Sequence, residues 1–340
     1  MQFQTPVDIP KSDIKLCHSD RIIMLGSCFA DHMAQKLEER KFDVLSNPFG
    51  TLYNPMSIEW LLNDCIYSVP FDTGSELIFK GSDGLYHSWM HHSSFSSATT
   101  EELLEKMNRA QLLTQNYLKE AKTLIVTFGS AVAYWHKKLD ILVANCHKQK
   151  DRLFYRELMD VENTTLDWVD LLSDLHQMNP QLQVIFTVSP IRHQRDGFQM
   201  NQLSKSTLFL IINSISAMIK EKKIPIDIAY FPAYEIMMDE LRDYRFYAED
   251  MIHPSTVAID YIWERFCQTH ISPKEQAVSD ACMSITKALS HKPLHPESDD
   301  YQKFLRQTLN NIQQLQKEQP TIHLDKEIAL CNTILKKSQK

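Results

Sequence analysis

Short apolar runs rich in β-branched residues alternate along this chain with longer stretches of helical periodicity. That alternation limits the available folds more than any other feature. Ile22, Ile23, Met24 and Leu25 form the first run and stop at Gly26. Residues 29–39 follow with Phe29, Met33 and Leu37 on one stripe, the spacing of a helix. Further strands are expected at 123–128, 184–188 and 226–230, and helices at 101–122, 165–178, 204–222 and 256–269. Asn54-Pro55 opens another helix, with Asn as cap and Pro in the first turn. Apolar strands separated by helices imply a parallel sheet covered on both faces. In such a sheet, ligands are met at the carboxyl ends of the strands.

After residue 272 the pattern changes. No strand is expected, and residues 279–290, 301–317 and 325–337 read as amphipathic helices punctuated by Pro293, Pro296 and Pro320. The chain divides on this basis into an α/β domain at 1–275 and a helical C-terminal extension at 276–340. The extension is the expected place for any oligomer contact.

Several function classes are excluded early. A net charge of −7 does not suit a protein that holds nucleic acid by its phosphates. No apolar run approaches the roughly 20 residues of a membrane span; the longest, 208–219, is broken by Asn213, Ser214 and Ser216. The N-terminal segment has no basic region followed by an apolar core, so no signal peptide is read and a cytoplasmic protein is expected. The seven cysteines are scattered without a C-x-x-C pair, which argues against a disulfide framework or a structural zinc site.

The chemistry gathers at the ends of the expected strands. Glycine occurs only seven times in 340 residues, yet Gly26, Gly50 and Gly129 all lie in or near such turns. Gly26-Ser27-Cys28 offers two nucleophiles at a strand-to-helix turn, where helix N–H groups favour a thiolate or hold an oxyanion. The plainer alternative is that Ser27 only caps the helix and Cys28 is a small core residue. Asp250 stands three residues before His253, so its carboxylate can accept from the imidazole Nδ1–H and leave Nε2 to act as base. Asn145 and Lys148, and Arg192 and His193, sit in polar clusters that are candidates for substrate contact or ordinary loop chemistry. His87, His91 and His92 lack carboxylates at ligand spacing, so no metal is expected.

Gly26-Ser27-Cys28-Phe29-Ala30 resembles the signature of the GSCFA family, a bacterial group common in Bacteroidetes. The resemblance extends through Phe49–Pro55, His91–Phe95, Thr127–Ala131, Asn145–Lys148, Ser189–His193 and Asp250–Pro254. It implies kinship with the SGNH, or GDSL-type, hydrolases: a three-layer α/β/α sandwich on a parallel sheet, with a nucleophile after the first strand and a closing Asp-x-x-His. On that pattern Gly26 matches the first block, Gly50 the oxyanion glycine, Gly129-Ser130-Ala131 the third block, and Asp250 and His253 the last. Ser27 then occupies an Asp slot and Cys28 the nucleophile slot, so either residue is a candidate nucleophile. Ala131 stands where the third block has Asn, and Asn145 is a candidate replacement donor. The activity implied is ester hydrolysis or acyl transfer on a small molecule or saccharide, with Lys148, Arg192 and His193 binding a polar or anionic substrate and without cofactor or metal. The alternative is a non-catalytic ligand-binding or interaction protein on the same fold.

Overall fold

The computed structural model describes residues 5–337; residues 1–4 and 338–340 of the two expected segments lie outside the described residues. In chain order the elements are β1 (Arg21–Gly26), α1 (Cys28–Glu38), β2 (Asp43–Ser46), α2 (Pro55–Tyr67), β3 (Ile78–Lys80), β4 (Tyr86–Ser88), α3 (Thr100–Glu120) and β5 (Ala121–Phe128). Next come β6 (Val132–His136), β7 (Ile141–Val143), β8 (Phe154–Leu158), α4 (Val161–Met178), β9 (Gln183–Val188), α5 (Phe198–Glu221) and β10 (Ile228–Phe231). A short α6 (Ala233–Glu235) runs into a π-helical turn (Ile236–Leu241), followed by α7 (Thr256–His270), α8 (Pro273–Ser290), α9 (Asp299–Glu318) and α10 (Asp325–Lys337).

Five strands form one parallel sheet in the order β2-β1-β5-β9-β10. Connections leave β1 toward one edge for β2 and toward the other edge from β5 onward. The switch point therefore lies between β1 and β5, where this topology opens a crevice at the carboxyl ends. Alternation along β1 sets the two cores. Ile22 and Met24 pack with Phe29 and Met33 of α1 and with Ile262 and Phe266 of α7. Ile23 and Leu25 face the other way, toward Leu61 of α2, Met107 of α3, Trp168 of α4 and Leu208 of α5. Both faces are thus buried, which is why these strands read as unbroken apolar runs.

Several elements lay outside the sequence reading. β2 is a short edge strand whose residues are half-buried or exposed, so it carries no apolar run. β3 pairs with β4, and β7-β6-β8 form a second small antiparallel sheet, in stretches without a long apolar signal. α5 begins at Phe198 rather than 204, directly after Gly197 at φ 84°. α8 begins at Pro273, capped by Ser272, so the 275/276 boundary falls inside a helix.

The C-terminal helices hold their own small core of Cys282, Ile285, Ile312, Leu315 and Cys331. They join the sheet domain through Thr286 Oγ1, which donates to the Glu39 carbonyl at 2.7 Å, and through a Lys41–Glu327 ion pair at 2.6 Å. Among the described residues no helix is long and apolar enough to cross a membrane.

Candidate active site

Gly26 sets the geometry of the first turn. Its φ is +132°, and a Cβ there would stand 2.1 Å from the Thr127 carbonyl oxygen of β5. Only glycine permits that approach. The Gly26 N–H donates to Asn47 Oδ1 at 2.8 Å and its carbonyl accepts from Leu52 N at 2.9 Å, which ties the loop after β2 against the turn.

Ser27 and Cys28, adjacent in sequence, are placed in different surroundings. Ser27 is fully buried, caps α1 by accepting from Phe29 N, and donates from Oγ to Ser189 Oγ at 2.9 Å. Cys28 opens α1 and is partly exposed. Burial and the neighbouring Asp31 carboxylate push its thiol up to about 11, while its own and Phe29's backbone N–H groups and the Lys205 charge act the other way. At neutral pH the sulfur is therefore a thiol, held where a helix terminus favours its anion once the proton is gone.

Asp250 and His253 form a compact pair on the loop before α7. Asp250 Oδ1 accepts from the backbone N–H of Ile252 and of His253, each at 2.9 Å, and Oδ2 lies 2.5 Å from His253 Nδ1. Those hydrogen bonds hold the Asp250 carboxyl down at about 2. It stays ionised at any working pH and holds the imidazole with Nδ1 turned inward. Both side chains are 46% exposed. Arg192 braces this loop. Its Nη2 donates to the Met251 carbonyl at 2.5 Å, and the guanidinium lies over the rings of Phe198, Tyr244 and Tyr247. Met251 itself sits at φ 59°, a left-handed conformation that such a brace helps to hold.

The carboxyl edge of the sheet brings further groups together. Tyr53 packs edge-on against His193, and its carbonyl accepts from the N–H groups of Gly129 and Ser130. The His193 backbone N–H donates to Asn201 Oδ1 at 2.8 Å. Burial, with smaller contributions from Lys205 and His253, lowers the His193 imidazole to about 4, so it is neutral at physiological pH. Its Nε2 is buried without a protein partner. Ile252 of the same loop packs against the core that holds Phe29 and Met33 of α1, and His253 acts electrostatically on His32 of that helix. Among the described residues, no hydrogen bond joins His253 to Ser27 or Cys28.

Three other expected site residues, Gly50, Asn145 and Lys148, make no hydrogen bond to Cys28 or His253 among the described residues. The Gly50 N–H already donates to the Asn47 carbonyl at 2.7 Å, and the Cα of Gly50 faces His92, where a Cβ would come within 2.1 Å of the His92 Cβ. Asn145 belongs to the small antiparallel layer: its N–H donates to the Trp89 carbonyl and its Oδ1 accepts from His147 N. Lys148 is exposed at φ 57°. His87, His91 and His147 pack against aromatic rings, and among the described residues no group of three or more His, Cys, Asp or Glu is placed to hold a metal ion.

One residue of this edge escaped the sequence reading altogether. Lys205 of α5 is 1% exposed, and its Nζ donates to the carbonyls of Gly129 at 2.7 Å and Ser189 at 2.8 Å. A signal existed. Asn201, Ser204 and Lys205 continue the buried stripe of Leu208, Ile211, Ile212, Ile215 and Ile219 toward the helix N-terminus. A lysine and an asparagine on an apolar stripe need partners.

Buried neutral imidazoles make stability fall in acid. His91, His193 and His270 are lowered to about 3, 4 and 4, chiefly by burial, from an ordinary value of 6.5. The unfolded chain takes up these protons first, so stability decreases as pH falls below about 6.5 and continues to decrease toward about 4. Melting temperature by scanning calorimetry is expected to drop through that window, and His193→Gln to reduce the drop. A melting temperature constant down to pH 4 would contradict the buried, neutral assignment.

No curated protein matches the chain. Two family comparisons do. Residues 282–337 match the segment described as GSCFA domain protein, C-terminal domain, over the helical extension. Residues 21–266 match the GSCFA family itself, from the first residue of β1 into α7, a span that includes the Cys28 turn, Lys205 and the Asp250–His253 loop. The chain belongs to the GSCFA family.

Proposed function

We propose that this protein transfers acyl groups from small-molecule or saccharide esters, to water or to an alcohol, with Cys28 as the nucleophile. The observation that carries this reading is the Asp250–His253 pair: a carboxylate 2.5 Å from Nδ1, on a loop whose Ile252 packs against the same core as Phe29, the residue after the thiol. Asp250 holds the tautomer and stabilises the imidazolium. His253 Nε2 relays the proton between the acceptor and the departing alkoxide. The Cys28 N–H, at the open first turn of α1, is one candidate backbone donor for a tetrahedral oxyanion. The buried Nε2 of His193 is a second candidate, since a neutral imidazole can carry a proton there.

A ligand-binding role without catalysis is favoured by one observation, the lack of a hydrogen bond between the thiol and His253 among the described residues. One experiment separates the two readings. The protein is incubated with p-nitrophenyl esters of about two to eight acyl carbons, quenched in acid and digested for mass spectrometry, since a covalent intermediate is what nucleophilic catalysis leaves behind. An acyl mass on the Cys28 peptide with multiple turnovers supports transfer. Unmodified Cys28 with every ester removes it and leaves the binding role.

A further inference from the structure

The loop that carries Asp250 and His253 is shaped by its own bonds. The Ala248 N–H donates to the His253 carbonyl at 2.8 Å and the Met251 N–H to the Ala248 carbonyl at 3.0 Å, while Asp250 Oδ1 takes the N–H groups of Ile252 and His253. These bonds fix the form of the loop but not its place over the sheet. Ile252 packs against the core between α1 and α7. Among the described residues, a single hydrogen bond leaves residues 248–253 for another part of the chain: Arg192 Nη2 donates to the Met251 carbonyl at 2.5 Å.

The arginine at the other end is itself held. Its guanidinium carbon lies 4.5 Å from the centre of the Tyr247 ring, 5.6 Å from that of Phe198 and 5.7 Å from that of Tyr244. Tyr247 stands at the base of the Asp-His loop, bridged to Pro254, whereas Phe198 opens α5. The rings thus come from both sides of the junction. The β9–α5 loop from which Arg192 projects is anchored twice, by Lys205 Nζ on the Ser189 carbonyl at 2.8 Å and by Asn201 Oδ1 on the His193 N–H at 2.8 Å. The sequence suggested that Arg192 binds an anionic substrate, and the geometry speaks against it. Nε is buried without a protein partner, so the fork of Nε and Nη2 that grips a carboxylate or phosphate is closed to solvent.

We propose that Arg192 is a positioning residue for His253: it fixes the Asp-His loop against the β9–α5 loop and does not hold an anionic substrate. This rests on the reading of His253 as the proton relay. The relay must come within hydrogen-bond reach of the reacting atoms, so a loop displaced as a unit loses turnover even though the local Asp250–His253 contact survives. Lysine does not replace arginine here. It is a point charge on a flexible stem and lacks the plane that stacks among three rings.

Arg192→Met and Arg192→Lys in the full chain, checked for folding by circular dichroism, test the proposal in two measurements. Amide hydrogen exchange read by mass spectrometry needs no substrate; peptides covering 247–254 are expected to exchange about tenfold faster in both variants. Steady-state turnover is then followed with neutral p-nitrophenyl acetate and anionic mono-p-nitrophenyl glutarate. For both esters kcat is expected to fall about 10²-fold in both variants, with KM held within about twofold. Parental exchange overturns the proposal, and so does faster exchange with kcat unchanged. A KM that rises for the glutarate alone and is restored by lysine also overturns it, since that is the signature of an anion contact. Should both variants fail to fold, Tyr247→Leu, which removes the ring nearest the guanidinium, is read the same way. If the parent turns over neither ester, the transfer reading falls and exchange alone decides: faster exchange keeps Arg192 as the clamp of this loop, and parental exchange removes it.

Discussion

Cys28→Ala is expected to abolish acyl-enzyme formation, whereas Ser27→Ala retains it and loses stability instead. The two residues are neighbours, but the first turn of α1 separates their roles. Ser27 is fully buried, donates to Ser189 Oγ at 2.9 Å and caps the helix, so its hydroxyl has no path to a substrate. Losing a cap costs about 0.5–2 kcal/mol. Cys28 is partly exposed and lies at the open N–H groups of α1. Removing a nucleophile from a working site costs roughly 10⁴-fold or more in turnover, and removing His253, the proton relay between acceptor and leaving group, about 10²–10⁴-fold. Burst-phase release of p-nitrophenol from an activated ester, with the melting temperature of each variant alongside, measures both effects. A burst that survives in Cys28→Ala and vanishes in Ser27→Ala would reverse the assignment.

The second large effect concerns the same turn from the folding side. Gly26→Ala is expected to destabilise the protein by more than about 4 kcal/mol, the range reserved for forced backbone or packing clashes. A Cβ at position 26 meets the Thr127 carbonyl oxygen at 2.1 Å, and that neighbour is backbone in the central strand, which cannot give way without separating β1 from β5. The φ of +132° adds its own strain. Gly84→Ala is the control: it shares a positive φ of +84° but has nothing within 4 Å, so about 1 kcal/mol is expected. Urea unfolding of the three proteins gives the comparison. A Gly26→Ala midpoint close to the parent would mean that the two strands do not approach as described.

These two turns show where sequence reasoning reaches and where it stops. The parallel sheet was legible because each central strand is buried on both faces, so burial writes itself as a continuous apolar run at β1, β5 and β9. The edge strand β2 and the small antiparallel layers were not legible. Their residues are largely half-exposed, and the pairing that makes them strands comes from segments far along the chain. The Asp250–His253 contact could be anticipated because it is local: three residues on one loop bring carboxylate and ring together without help from the rest of the fold.

Position 27 or 28 as nucleophile could not be decided from Gly-Ser-Cys. Exposure there depends on Ser189 arriving from β9, 162 residues away, to enclose Ser27. Lys205 was hidden for the same reason. On a helix of mixed composition it reads as one solvated charge among several; only the packing of α5 against the ends of β5 and β9 turns it into a buried amine between two carbonyls. By itself, then, the sequence determined the layered sheet, the glycine turn and the Asp250–His253 contact, all of which follow from local periodicity and short-range contacts. The tertiary structure alone decided that Cys28 rather than Ser27 is partly exposed and that Lys205 is buried, because burial of a polar group is a property of what packs across the fold.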